Sequence, residues 1–178
     1  TTILQAYSGF DSLSYNGNLF LNTEVDFTAS KIADSTNVLA MASVSSARQE
    51  IGPTLKTNNL LVEAIWNQNL IDFGLDVDQE KQTNFVRLKG AVEFLKDSTV
   101  LTMAPSILRL LEREWSFASN NSITIKGTDW RFNRFSLVNS DQSVGLEGRL
   151  SEDPSKILSL NIDQLDLSLL NVLTNKKF

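Results

Sequence analysis

The sequence predicts an all-β protein: an elongated, curved, mainly antiparallel sheet with loose β repeats and little helix. Apolar residues recur mostly at every second position, which is typical of strands with one apolar and one polar face. Only three prolines and eight glycines occur, so Asn, Ser and Asp side chains are left to close most turns. An apolar-x-apolar-x-Gly phrase recurs at 86–90, 123–127 and 144–148, which suggests stacked β units, although an ordinary β sandwich could contain such phrases by chance.

The composition excludes several classes of protein. The 178 residues include no cysteine and no histidine, which removes disulfides, thiolate and imidazole metal sites and histidine-dependent catalysis. The net charge is −5 and the 16 Lys and Arg residues are scattered, so no nucleic-acid partner is expected. No stretch approaches the ~18 consecutive apolar residues of a membrane-spanning helix. Nucleotide-binding and nucleophile motifs are also missing, so we expect no enzyme, no metal site and no cofactor.

Residues 60–78 carry the clearest strand pattern, which predicts a hairpin. In its second half four apolar side chains alternate with three aspartates and a glycine, as in a strand with one buried and one solvated face. The first half alternates in the same way, and the short polar loop 67–69 joins the two. The apolar residues that alternation places on one face of this hairpin are Val62, Ala64, Trp66, Ile71, Phe73, Leu75 and Val77, whereas Ile65 alternates with them beside Glu63.

Alternation predicts further strands along the whole chain. The pattern is strong downstream of the hairpin and softer in the first sixty residues, where the apolar runs are short. The expected strands lie around 19–21, 25–27, 38–44, 86–93, 123–125, 144–150, 158–162 and 165–169.

Two segments also show helical features. At 105–115, Pro105 and the spacing of the following Ile and Leu residues slightly favour a helix. The same residues could instead form a strand at 107–111, a charged turn at 112–114 and a second strand from Trp115. A short helix is expected at 169–173.

The acidic and aromatic clusters offer weak alternatives as sites. The carboxylates at 72–80 could bind Ca²⁺, but their alternation places them on the solvated face of a strand, where they oppose edge pairing. The acidic residues at 112–114, beside two arginines, are better explained by surface ion pairs than by acid–base catalysis. The tryptophans are expected to pack in the core or at its rim. These residues are Asp72, Asp76, Asp78 and Glu80; Glu112 and Glu114; and Trp66, Trp115 and Trp130.

The function therefore depends on what covers the apolar faces of the strands. In a sandwich, two such faces pack together and form a dry core. In an open, curved sheet they line an apolar trough. Periodicity alone leaves both arrangements open.

Several phrases follow one another in order between residues 60 and 173. They include A-x-W-N-x-N at 64–69, E-W-S-F at 114–117, N-x-F-x-L-x-N at 133–139 and G-x-L-S-x-D-P at 148–154. The second of these follows a charged turn. This succession resembles the TamB/AsmA-like proteins of Gram-negative envelopes, which are similar to bridge-like lipid-transfer proteins. Residues 1–59 resemble that family only in their general strand-like pattern and contain none of these phrases.

The resemblance implies an elongated β groove that carries phospholipid between the inner and outer membranes and has no catalytic residues. It favours strands over a helix at 107–118. Residues 1–178 would form one periplasmic section of a longer protein whose inner-membrane anchor lies outside this chain. Other parts of that protein would contact an Omp85-type outer-membrane barrel, and a contribution to outer-membrane protein assembly is also implied.

The resemblance and the alternation together name the side chains expected to contact phospholipid acyl chains. Two alternatives stay open: a β scaffold that guides outer-membrane or secreted proteins through an edge strand, and a β-sandwich interaction domain that binds no lipid. The expected groove-lining residues are Val62, Ala64, Trp66, Ile71, Phe73, Leu75, Val86, Leu88, Ile123, Ile125, Val144, Leu146, Leu158 and Leu160.

Overall fold

The computed structural model describes residues 2–31, 37–110 and 113–165. In these ranges the regular secondary structure is entirely β-strand, and thirteen strands form a single sheet, which confirms the predicted fold class. The strands are β1 (Thr2–Tyr15), β2 (Asn18–Lys31), β3 (Val38–Ile51), β4 (Leu55–Asn67), β5 (Leu70–Gln79), β6 (Phe85–Phe94), β7 (Thr99–Met103), β8 (Ile107–Leu110), β9 (Arg113–Phe117), β10 (Ser122–Lys126), β11 (Asp129–Asn139), β12 (Gln142–Leu150) and β13 (Leu158–Asp163).

The strands follow one another across the sheet almost in chain order, and every pairing is antiparallel. The predicted hairpin at 60–78 is present as β4 and β5, joined through Gln68 and Asn69, with Gln68 in the left-handed region at a φ of 58°. In the described ranges β1 and β13 are the two edges and do not pair with each other, so the sheet is open.

Two long strands in the middle of the sheet are each interrupted once. β6 pairs with β8 over 85–87 and with β7 over 90–94, so β7 and β8 act as one strand with a break. Ser106 fills this break, because its Oγ accepts a hydrogen bond from the Lys89 N–H at 2.9 Å and donates to the Ala104 carbonyl at 2.8 Å. The side chain therefore replaces backbone pairing that the break removes.

Asn121 likewise supplies side-chain hydrogen bonds to backbone groups at the break between β9 and β10. Its Oδ1 accepts a hydrogen bond from the Met103 N–H at 2.8 Å, and its Nδ2 donates to the Ala118 carbonyl at 2.8 Å. These pairings make 107–110 and 113–117 strands, as the family resemblance favours. The helical interpretation of 105–115 is wrong, because local propensity is weaker here than pairing with β6 and β11.

The sheet has two chemically different faces. We call the apolar face the side that carries Ile71, Phe73 and Leu75, and the polar face the side that carries Asp72 and Asp76. Because side chains alternate along a strand and directly opposed residues share a face, the register assigns every paired residue to one side.

Left-handed residues in β2 and β4 accompany a polar crease on the apolar face, to which β3 also contributes. Asn22 and Asn59 take left-handed conformations, with φ of 49° and 55°, and Asn59 lies in a β-bulge. Gln49 is fully buried there; its Nε2 donates to the Ser46 carbonyl at 2.7 Å and its Oε1 accepts from the Thr57 hydroxyl at 2.8 Å. The polar crease comprises Thr23, Ser46, Gln49 and Thr57, all buried.

The two C-terminal elements expected from the sequence cannot be placed. The strand at 165–169 and the helix at 169–173 fall almost wholly on residues after 165, which lie outside the described residues.

Candidate functional site

The predicted groove-lining residues of β4, β5 and β6 form adjacent rows on the apolar face. Phe73 is directly opposite Ala64 on β4, and Leu75 lies between Val62 on one side and Leu88 on the other. Successive strands of a sheet lie about 4.8 Å apart, so the side chains of such a row contact one another. The remaining members here are Trp66 opposite Ile71, and Val86 opposite Val77.

The same face continues across the second half of the sheet. Leu101 of β7 links Val92 of β6 to Ile123 of β10, which in turn lies opposite Phe132. A bulge in β11 then keeps Phe132 and Phe135 on one side, since the left-handed Arg134 shifts the alternation by one residue. The remaining predicted residues follow in register as Ile125 opposite Trp130, Val144 opposite Leu137, Leu146 opposite Leu160, and Leu158 opposite Gly148.

The apolar face is largely open. In the described residues only Ala40, Trp115 and Ile123 are buried apolar side chains, whereas Trp66 is 48% and Leu160 62% exposed. The chain has an accessible surface of 12142 Å², against about 8,600 Å² for a compact protein of 19.8 kDa. A second layer that would cover the face is therefore absent from the described part of the chain.

Sequence reasoning missed the contribution of the first strands to this face. Phe27 and the alanines of β3 lie beside Ala64 and Trp66, and together they line a shallow hollow of about 160 Å³. The signal was weak because Ala and Ser interleave in 38–46, so the alternation there shows little contrast in hydropathy. The missed members are Val25, Phe27, Ala40, Ala42 and Val44.

The polar face carries charged pairs between neighbouring strands. The Arg87 guanidinium contacts the carboxylates of Asp78 and Asp76 on β5, and Asn59 donates to Asp78 at 2.9 Å. The hydrogen bond from Asn59 and the charge of Arg87 lower the pKa of the Asp78 carboxyl below its usual value. Within the described ranges, no group of three acidic side chains is arranged to bind a metal ion.

The other residues discussed from the sequence have separate surroundings. Trp115 is buried on the apolar face, whereas Trp66 and Trp130 are partly exposed at strand ends. Glu114 lies directly opposite Arg109 on the polar side, and Glu112 is outside the described residues. Arg48 bridges Glu50 and Glu80, so Glu80 belongs to a surface ion-pair group.

A second hollow opens on the polar face, where no site was predicted. It measures about 430 Å³ and is lined by Met41, Ile65 and Gly74 together with the charged residues Asp26, Glu63, Asp72 and Lys89. These residues come from five strands, and only the register of the folded sheet brings them together.

Comparisons with known proteins identify no relative: no family model, curated protein or solved structure matches this chain. The described residues also contain no helix long and apolar enough to cross a membrane.

Proposed function

We propose that this chain is a section of a lipid conduit, in which the apolar face holds the acyl chains of phospholipids while the polar face meets water. The observation that carries the proposal is the continuity of the apolar face, which runs from β2 to β13 without a charged side chain among its paired central rows and remains open to solvent. An apolar surface of this extent commonly marks an interaction site in soluble proteins.

The energetics favour such a ligand. Each methylene of an acyl chain that leaves water contributes about 0.8 kcal/mol, so an extended apolar surface can hold a lipid tail without any specific polar contact. Rows of similar Val, Leu, Ile and Phe side chains offer no single preferred position along the sheet. This arrangement suits movement of a chain along a surface better than tight binding at one point.

The cellular setting belongs to the proposal as well. We place the conduit in the periplasm of a Gram-negative bacterium, as one section of a longer protein anchored in the inner membrane outside this chain, on the strength of the TamB/AsmA-like phrases. Phospholipid would pass between the inner and outer membranes, and other parts of the protein would contact an outer-membrane barrel and assist outer-membrane protein assembly.

Two matched triple variants test lipid binding by the apolar face. Val62, Trp66 and Leu160 lie on that face with exposed fractions of 38%, 48% and 62%. Leu39, Met41 and Ile65 lie on the polar face with 43%, 50% and 41%. Each set is changed to serine, and binding of a fluorescent phospholipid and its transfer between vesicles are measured.

The proposal expects the apolar-face triple to lose at least five-fold in lipid binding and transfer, whereas the polar-face triple retains both. Circular dichroism and thermal unfolding confirm that the two variants are folded. Equal loss in both variants, or lipid binding by neither variant nor the parent chain, would contradict the proposal.

A second candidate function, a scaffold for strands of other proteins, is favoured by β1. This strand is exposed along all of its 14 residues, pairs only with β2 in the described ranges and contains Asp11 as its single charged residue. Natural edge strands usually carry charges or prolines that prevent pairing. If β1 pairs with strands of other proteins, the variant Ser12→Lys, Ser14→Lys should lose crosslinking to unfolded outer-membrane proteins and keep its lipid transfer. Crosslinking that persists in this variant would exclude the scaffold function.

A further inference from the structure

The hollow on the polar face is unusual because its centre is apolar. Met41 and Ile65 are directly opposed on β3 and β4, with exposed fractions of 50% and 41%, on the side where neighbouring strands place charged or small polar residues. Leu39 and Tyr7, 43% and 68% exposed, extend this apolar surface on the same side. Neither the solubility of the chain nor the packing of the sheet accounts for these side chains.

Three carboxylates border the apolar centre. Glu63 lies on β4 and Asp26 on β2, on the same row and two strands apart, or roughly 10 Å. Asp72 lies directly opposite Ile65 on β5. None of the three forms an ion pair within the described residues, in contrast to Asp76 and Asp78 nearby.

Among the described residues, Lys89 is the only cation that lines the hollow. It lies on β6 opposite Gly74, at the end of the same row, and it also forms no ion pair among the described residues. The lining therefore carries three negative charges and one positive charge, around an apolar centre within a volume typical of binding sites.

We propose that this hollow docks a basic segment of a partner protein, in which an apolar side chain is flanked by Lys or Arg residues. The apolar side chain packs on Met41 and Ile65, and the flanking cations pair with Asp26, Glu63 and Asp72. Charge complementarity selects this occupant, because an acidic or purely polar segment would leave the carboxylates unpaired and the apolar centre exposed. The same carboxylates repel anionic membrane surfaces.

The hollow opens on the polar face, opposite the proposed lipid surface, so its charged side chains can be changed without altering the side chains of the apolar rows. Lys89 also allows a test in which removing a charge should raise the affinity, whereas removing the carboxylates should lower it. Its removal takes away a repulsive charge, so a basic segment should bind more tightly to the Lys89→Gln variant.

The probe is a fluorescent peptide, Lys-Lys-Leu-Leu-Lys-Lys, with two analogues that carry Glu for Lys or Gly for Leu. Binding to the chain is followed by anisotropy at low and physiological salt. The test variant combines Asp26→Asn, Glu63→Gln and Asp72→Asn. The control variant combines Glu114→Gln, Glu147→Gln and Asp163→Asn, which change the net charge equally at exposed positions of the polar face outside the hollow.

The proposal expects at least ten-fold weaker peptide binding by the test variant, less than two-fold change in the control variant and two- to five-fold tighter binding by Lys89→Gln. Both analogues should bind at least ten-fold more weakly than the parent peptide. Equal binding of the Gly analogue, or equal effects of the test and control variants, would overturn the site. A further contrary outcome is adsorption of the chain to phosphatidylcholine vesicles, with adsorption lost in Met41→Ser and Ile65→Ser. That result would assign the hollow to membrane binding and would also overturn the proposed peptide site.

Discussion

The ring of Phe73 lies directly over Gly90, its cross-strand partner on β6. A methyl group added at Gly90 would stand 2.6 Å from Cζ of Phe73 and 2.6 Å from the Thr102 carbonyl oxygen. The missing side chain on β6 thus provides the space that the aromatic ring of β5 fills, as in other sheets where an aromatic residue covers a glycine.

Gly90→Ala should therefore destabilise the fold by about 1–3 kcal/mol, because the added methyl group would also approach the Thr102 backbone, which cannot move away easily. Gly74→Ala is the matched control. A methyl group there approaches nothing closer than 3.9 Å, so the change should be neutral or stabilise by about 0.4–1 kcal/mol. Urea unfolding of both variants checks this, and equal stabilities would show that the Phe73 contact is unimportant.

Gln49 is the polar side chain on which the crease depends most. Gln49→Met keeps the volume but removes the partners of the Ser46 carbonyl and the Thr57 hydroxyl, which should cost about 2–4 kcal/mol. Adding Thr57→Val should recover part of this loss, since one unpaired group is removed. Thermal and urea unfolding measure both, with the exposed Gln5→Met as control; a loss no larger than that of the control would be inconsistent with this role of the crease.

Acid should weaken the contacts that Asp78 of β5 makes with Asn59 of β4 and Arg87 of β6. The Asn59 hydrogen bond, with help from Arg87, lowers the pKa of Asp78 in the folded state below the usual 3.8. When the pKa of a carboxyl is lower in the folded state than in the unfolded state, its ionised form stabilises the fold at any pH above the unfolded-state pKa. This stabilisation is lost as the pH falls through the folded-state pKa.

Unfolding midpoints at pH 7 and pH 3 test this effect of Asp78. The parent chain should lose more stability over this range than Asp78→Asn, and high salt should narrow the difference. An identical acid dependence in the two proteins would mean that Asp78 contributes nothing to the response.

An open apolar face also predicts an unusual tolerance to polar substitution. Leu160→Ser and Ile162→Ser, at positions 62% and 55% exposed, should each cost less than about 1 kcal/mol in stability while weakening lipid binding. Ile123→Ser, at a buried position, should cost about 2–5 kcal/mol. If the β13 substitutions prove as costly as Ile123→Ser, the face is packed against another layer.

Period-two alternation was sufficient to predict the faces of β4, β5, β6, β12 and β13, because apolar residues alternate there mostly with charged or other polar ones. It was insufficient for β1, where serine, glycine and aromatic residues blur the pattern. The recurring glycine phrase also concealed three different settings: Gly90 lies under a ring, Gly127 is in a turn at a φ of 58°, and Gly148 has a φ of 105° within β12.

The polar features were beyond sequence reasoning because they depend on register. Asp26, Glu63 and Asp72 are distant along the chain and meet only after four strands have paired. Similarly, Ser106 and Asn121 look like ordinary loop residues until the N–H groups of Lys89 on β6 and Met103 on β7 are seen to need partners at the two strand breaks. The family resemblance indicated strands at 107–118, but it gave no information about these side chains.

The most direct test of the lipid conduit is photocrosslinking in cells at two adjacent residues of β4. Trp66 and Ile65 are similarly exposed, at 48% and 41%, and point to opposite faces of the sheet. A photoreactive phenylalanine analogue replaces each in turn, and adducts are extracted and identified by mass spectrometry. If the apolar face carries lipid, phospholipid adducts are expected at position 66 and few or none at 65. Absence of lipid at 66 in a folded, expressed protein, or equal labelling at both positions, would show that this face does not carry lipid.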